Sequence, residues 1–126
     1  MPLPEQMTAA VHAYVAAFDV GDPELAVALF AEDATIEDPI ESPLKVGTDA
    51  IREFYVGSMN AGAKLVLQGP VRIGGSHAAF AFQAQLQMGG NLVTIDVIDI
   101  FKFNDAGKVI EMRAYFGPGN IGQVPG

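Results

Sequence analysis

The sequence predicts an α+β fold in which N-terminal helices pack on one face of a curved antiparallel sheet and enclose an apolar pocket. Three observations carry this. Residues 4 to 18 set Met7, Val11, Tyr14, Val15 and Phe18 at steps of three and four, which is the stripe of an amphipathic helix. Residues 79 to 88 alternate, with Phe80, Phe82, Ala84, Leu86 and Met88 on one face and Gln83, Gln85 and Gln87 on the other. Gly89-Gly90-Asn91 and Asn104-Asp105-Ala106-Gly107 are turn sequences that join consecutive strands into an antiparallel meander. Helices first and a sheet afterwards is the order of an α+β domain.

In chain order, Asp22-Pro23 supplies an N-cap and a first-turn proline, opening a short helix through Leu25, Leu29 and Phe30. After a polar break, strand periodicity groups Ala34, Ile36 and Asp38 on one face and Thr35 with Glu37 on the other, so Asp38 faces the apolar side. Pro39 and Pro43 mark a loop. Gly47-Thr48 leads into a third helix with Thr48 as its cap and Ile51, Phe54, Tyr55 and Met59 on its buried side. Strands over 64 to 68 and 71 to 73 flank a bend at Gly69-Pro70, and Gly74-Gly75 is a turn. A long strand follows over 92 to 103 and another over 109 to 116. Residues 117–126 are rich in Gly and Pro and are expected to form an irregular tail, so that 1–126 read as one domain.

Composition narrows the function. Half of the 126 residues are hydrophobic, enough for one sizeable core. A formal net charge of −8, with only 7 scattered Lys and Arg, argues against a phosphate-binding surface, so no nucleic-acid partner is expected. The chain has no Cys, hence no disulfide, thiol nucleophile or Cys-ligated metal, and a cytoplasmic location is the default. Neither a basic, apolar leader nor 18 consecutive apolar residues occur, so membrane insertion is not expected.

The informative anomaly is Asp99. It shares a strand face with Val93, Ile95, Val97, Phe101 and Phe103, where an ionised carboxylate costs several kcal/mol unless paired. A neutral acid with a raised pKa is the cheaper outcome, and a neutral acid donates a hydrogen bond. Asp96, on the opposite face, suits a sheet surface or interface. Each candidate also has an ordinary reading: Asp99 as a buried acid satisfied by backbone or a hydroxyl, Asp38 as a turn residue before proline, Tyr14 and Tyr55 as core tyrosines. Together they say more. A base (Asp38), a phenol (Tyr14) and a neutral acid (Asp99) around one apolar pocket are what proton abstraction beside a carbonyl requires, with Tyr55 holding the Tyr14 hydroxyl. Phe54, Phe80, Phe82, Phe101, Met112 and Phe116 are expected to line that pocket, a surface suited to a rigid hydrocarbon ligand.

At these residues the chain resembles the bacterial ketosteroid isomerases, within the cone-like family of nuclear-transport-factor-2 and SnoaL-type proteins. The resemblance covers roughly residues 3 to 121, through YVAAFDVGD from Tyr14, ALFAEDATIEDP with Asp38, GTDAIREFY ending at Tyr55, AAFAF to Phe82, IDIFKFNDAGKV holding Asp99 and MRAYFG to Gly117. The acid-plus-helix segment is common to many members, whereas Tyr14, Asp38 and Asp99 together are specific. The resemblance implies that Asp38 moves a proton from C4 to C6 of a 3-oxo-Δ5-steroid, while Tyr14 and protonated Asp99 hold the dienolate oxygen. Those isomerases are the reference case of a carboxylic acid kept neutral for hydrogen bonding. It further implies no metal, nucleotide or flavin cofactor and a homodimer through the outer sheet face, where Ile98, Ile100 and Tyr115 are compatible. The chain departs from some relatives in having no Trp and in placing Phe30 where a third tyrosine stands. Two rivals remain: another enzyme of the same fold, such as a polyketide cyclase or an epoxide hydrolase, and a noncatalytic binding domain. The hydrolase needs a polar water-activating cluster, while His12 and His77 fall at helix-surface and turn positions.

Overall fold

The computed structural model describes residues 2–125. Helices α1 (Pro4–Val20), α2 (Pro23–Val27) and α3 (Thr48–Asn60) cover the inner face of a sheet built from β1 (Phe30–Glu37), β2 (Lys45–Val46), β3 (Lys64–Leu67), β4 (Arg72–Gly74), β5 (His77–Met88), β6 (Asn91–Phe103), β7 (Val109–Tyr115) and β8 (Ile121–Pro125). The sheet runs in the order β2-β1-β7-β6-β5-β3, with β4 added to β5 and β8 to β6.

Local chemistry explains the helices. Pro4 opens α1, where the Leu3 N–H donates to Gln6 Oε1 at 2.8 Å. Gly21, in the left-handed conformation, closes the helix by donating to Ala17 O. The predicted stripe is the buried one: Met7, Val11, Tyr14 and Phe18 are all buried. Asp22 caps α2 by accepting from the Glu24 N–H at 3.0 Å. This helix is shorter than expected and stops at Val27. Phe30 already pairs with Val109 of β7, so a sheet partner overrides the continuing apolar pattern, and Leu25 points to solvent while Ala26 and Val27 are buried.

A second correction concerns α3. Thr48 is its first helical residue rather than its cap, and its hydroxyl reaches back to Glu32 O at 3.5 Å. Gly47 holds the cap position at φ 88°, ψ 167°, a conformation open only to glycine.

The sheet is a meander over β5, β6 and β7, as expected, but it is not wholly antiparallel. β1 lies parallel to β7, with Ile36 opposite Met112 and Glu37 opposite Arg113. A parallel partner needs a long crossover, here everything between the two strands, and no local sequence signal announces it. Register shifts between Phe30 and Thr35 and between Lys102 and Phe103 bend the β1–β7–β6 region, as bulges do.

The tail also differs from expectation. Within residues 117–126, Pro118–Asn120 form a 3-10 turn and Ile121–Pro125 pair antiparallel with Asn91–Ile95 of β6. Open backbone donors and acceptors along this part of β6 outweigh the weak strand propensity of a Gly- and Pro-rich segment. Gly122 suits the approach, since a Cβ there would meet Thr94 Oγ1 at 2.9 Å. No helix among the described residues is long and apolar enough to cross a membrane.

Gly47 fixes the entry of the helix that carries Phe54 and Tyr55, and its backbone conformation excludes side chains. Gly47→Ala is expected to lower unfolding free energy by about 1–3 kcal/mol, read from the urea midpoint at unchanged m-value.

Candidate active site

Sheet register builds the site row by row. Asp99 of β6 lies opposite Phe80 of β5 and Ala114 of β7. Glu37 lies opposite Arg113, so the next residue, Asp38, comes beside Ala114, where the Ile40 N–H bonds Ala114 O at 2.8 Å. Phe80, Asp99, Ala114 and Asp38 therefore form one row across the inner face. Two strand spacings put the two acids at roughly 10 Å between Cα atoms, with Ala114 between them in the row. The next row is Phe82 and Val97, and the one beyond is Leu65, Ala84 and Ile95.

These rows floor a cavity of about 220 Å³ roofed by Tyr14 and Phe18 of α1 and by Phe54 and Ser58 of α3. Asp38, Asp99, Phe82 and Phe116 also line it. Four of its side chains bring a polar atom: Tyr14, Asp38, Asp99 and Ser58. The remaining wall is apolar.

Asp99 is 1% exposed, and among the described residues its Oδ1 has no hydrogen-bond partner. A buried oxygen without a partner is rare in native proteins and points to a ligand that completes it. Burial raises the Asp99 carboxyl well above its ordinary value, and the Asp38 charge adds to this. Asp38 keeps contact with solvent. Burial pushes it up to about 6, while the nearby Lys45 ammonium pulls it down. At neutral pH the pair thus divides into a protonated Asp99 and an ionised Asp38.

Tyr55 donates to the Tyr14 hydroxyl at 3.0 Å, which leaves the Tyr14 proton available to the cavity. Burial, then repulsion from Tyr55 and Asp99 charge, raises Tyr14 well above its usual phenol value; burial likewise raises Tyr55. Both phenols therefore stay protonated donors. Edge-on contacts to Phe101 at 5.0 Å, Phe18 at 5.3 Å and Tyr55 at 5.7 Å hold the Tyr14 ring. Among the described residues no group of three or more His, Asp or Glu side chains is arranged to hold a metal.

Residues 11–112 match the SnoaL-like domain family. The chain belongs to the SnoaL-like family. Within it, a curated steroid Delta-isomerase from Nocardioides simplex is 38% identical over 121 residues, spanning 95% of this chain and 97% of the relative. Among solved structures, the epoxide hydrolase/cyclase-like enzyme SalBIII, described for pyran ring formation in the polyether salinomycin, superposes with a TM-score of 0.88. It is 28% identical, over 94% of this chain and 95% of the other.

The SnoaL-like cavity gathers Tyr14, Asp38 and Asp99, with Tyr55 directly behind Tyr14. It takes Phe54, Phe82 and Phe116 as wall but excludes three expected wall residues. Phe80, Phe101 and Met112 are 1%, 0% and 1% exposed and belong to the core beneath Tyr14. The reason is direction: from Asp99 the cavity runs toward Val97 and Ile95, whereas Phe101 lies the other way along β6. Sequence reasoning missed Phe18, Ser58, Leu65, Leu86, Ile95 and Val97 as wall residues. Val97 and Ile95 were reachable by two-residue steps from Asp99, and Phe18 by a four-residue step from Tyr14. Nothing in the sequence singles out Ser58.

The raised Asp38 carboxyl has a consequence for stability. Its folded value of about 6 exceeds the unfolded 3.8, so burying it costs nothing below about pH 4 and its full amount above about pH 6. Asp38→Asn removes that cost. The variant is expected to gain on the order of 2–3 kcal/mol at pH 8 and close to nothing at pH 3.5, measured by urea unfolding at both pH values.

Proposed function

We propose that this SnoaL-like protein is a steroid Δ-isomerase that converts 3-oxo-Δ5-steroids to 3-oxo-Δ4-steroids by intramolecular proton transfer. The observation that carries the reading is the shared row of two unlike acids: Asp99 buried with an unpartnered oxygen, and Asp38 half-buried and ionisable near pH 6, facing one apolar cavity with Tyr14. The resemblance to a curated steroid Delta-isomerase over nearly the whole chain supports it.

In the mechanism, a planar hydrocarbon enters along the apolar rows with its 3-oxo group toward Tyr14 and Asp99. The Asp38 carboxylate takes a proton from C4, and the electron pair passes through the C3 carbonyl to give a dienolate. The Tyr14 hydroxyl and the protonated Asp99 carboxyl donate to the oxygen as its charge grows, and exclusion of water strengthens both bonds. Protonated Asp38 then returns the proton to C6, the Δ4 double bond forms, and the base is regenerated. Every proton and electron pair is accounted for within the substrate and these three side chains, so the cycle calls on no cofactor.

The same reading extends to the assembly. The outer sheet face exposes Ile98 and Tyr115 at 48% and 39%, with Ile100 half-buried on the same face, an apolar surface that suits a homodimer. A small-molecule partner and a cytoplasmic setting complete the proposal. The rival epoxide-opening chemistry gains little support from the cavity, because both histidines, His12 and His77, are exposed and neither lines it.

The test is conversion of 5-androstene-3,17-dione to its conjugated isomer, followed as growth of enone absorbance in the ultraviolet. Asp38→Asn is expected to lower kcat by about 10²–10⁴ while phenolic steroids still bind; wild-type turnover in this variant would remove Asp38 as the base. Asp99→Leu is expected to fold with equal or greater stability, because the carboxyl has an unpartnered oxygen, yet to lose about 10²–10³ in kcat. In the wild type, kcat/KM is expected to fall tenfold per pH unit below the Asp38 value of about 6 and to level off above it.

A further inference from the structure

We propose that Lys45 is a positioning residue for the base, a fixed cation at the sheet edge whose charge acts on the Asp38 carboxyl group. The inference rests on the isomerase reading for its kinetic consequence, though not for its electrostatics.

The geometry comes from the short strand β2. Lys45 pairs with Ile36 in an antiparallel register, so its side chain leaves the sheet on the inner face, the face of Ile36 and Asp38. Val46, the next residue, is 61% exposed, as the alternation demands. A residue opposite Ile36 is the diagonal cross-strand neighbour of Asp38, at a backbone separation of about 7–8 Å that a lysine easily spans. The row Phe101, Met112, Ile36, Lys45 therefore ends in a cation beside the end of the row that terminates in Asp38.

The ammonium is tethered. Its Nζ sits 5.3 Å from the centroid of the Phe54 ring, whose other surroundings include Tyr55 at 5.0 Å and the cavity itself. A cation over an aromatic face is held electrostatically by the ring and loses less motion than a free lysine tail. Among the described residues Lys45 makes no ion pair, whereas Arg52 is committed to Glu24 and Asp49, and Lys102 and Arg113 to Glu111. Its charge is thus uncommitted, and it acts on Asp38 in the direction that favours ionisation.

Other groups face the base. Asp99 from β6 is held toward its neutral form, first by burial and then by the Asp38 charge, and Tyr14 from α1 and Tyr55 from α3 are protonated phenols. Glu37 of β1 turns away and accepts from the Glu41 N–H of the following loop at 2.6 Å. Glu53 of α3 borders the same surface groove as Lys45. Among these groups it is the Lys45 cation that lowers the Asp38 value.

The experiment is carbon NMR titration of the labelled Asp38 carboxyl in the free full-length protein, assigned by its loss in Asp38→Asn, together with the pH profile of kcat/KM. Lys45→Met keeps the stem against Phe54 and removes the charge. It is expected to move both the titration midpoint and the acidic limb upward by roughly half a pH unit, a roughly threefold loss of kcat/KM at pH 5. Lys45→Arg is expected to restore the wild-type profile, and about 0.5 M salt to shrink the difference between wild type and Lys45→Met. A midpoint in Lys45→Met that matches wild type within about 0.1 unit overturns the proposal. The two ideas fail separately. A shifted midpoint in a protein with no isomerase activity sinks the function and leaves Lys45 standing; an active enzyme whose midpoint ignores Lys45 does the reverse.

Discussion

Removing a carboxyl group from water is the constraint around which this structure is arranged. Asp99 sits at 1% exposure on the inner face of β6, in a stretch where alternate residues are Val, Phe or Ile. An anion there would face several kcal/mol of uncompensated desolvation, so the neutral form, which can donate a hydrogen bond, is favoured. That outcome needs apolar walls close by, which β5, β6 and the roof helices provide. It also limits the second acid. Asp38, one strand removed across Ala114, remains partly wet and beside a cation, and its carboxyl is raised only to about 6.

The tyrosine pair follows from the same physics. A lone buried phenol would seek a partner among the acids and tie up an oxygen that a ligand needs. By receiving a hydrogen bond from Tyr55, Tyr14 satisfies its own oxygen and keeps a proton for the cavity. Four edge-on ring contacts then hold the phenol where its hydroxyl meets the floor. Fold alone would not supply this. A SnoaL-like neighbour with a TM-score of 0.88 is described as cyclase-like, so the chemistry of a member of this family depends on which side chains project from the inner rows.

Much of this was legible in the residue pattern, for a definite reason. Strand periodicity assigns a face without knowing the partner, so Asp99 and Asp38 could be placed on the apolar side directly. Helical periodicity did the same for Tyr14. Depth is another matter. Phe80, Phe101 and Met112 lie on the same inner face as the wall residues, yet they are core, because the direction in which the cavity opens depends on where α1 and α3 sit above the sheet. The strand at 121–125 was hidden by its Gly and Pro content, since its existence depends on the unpaired edge that β6 offers.

The sequence by itself determined the faces: which residues are inward, which acid would be costly to ionise, and which residue types could abstract and stabilise a proton. It did so because the periods of helices and strands are local properties of the backbone. Tertiary structure alone decided the distances and neighbours. The parallel union of β1 with β7 brought Asp38 into the row of Asp99, the β1–β2 pairing set Lys45 diagonal to that acid, and the seating of two helices chose which end of β6 would be cavity and which core. Such facts arise only when strands distant along the chain share hydrogen bonds, and no local pattern encodes which of them will.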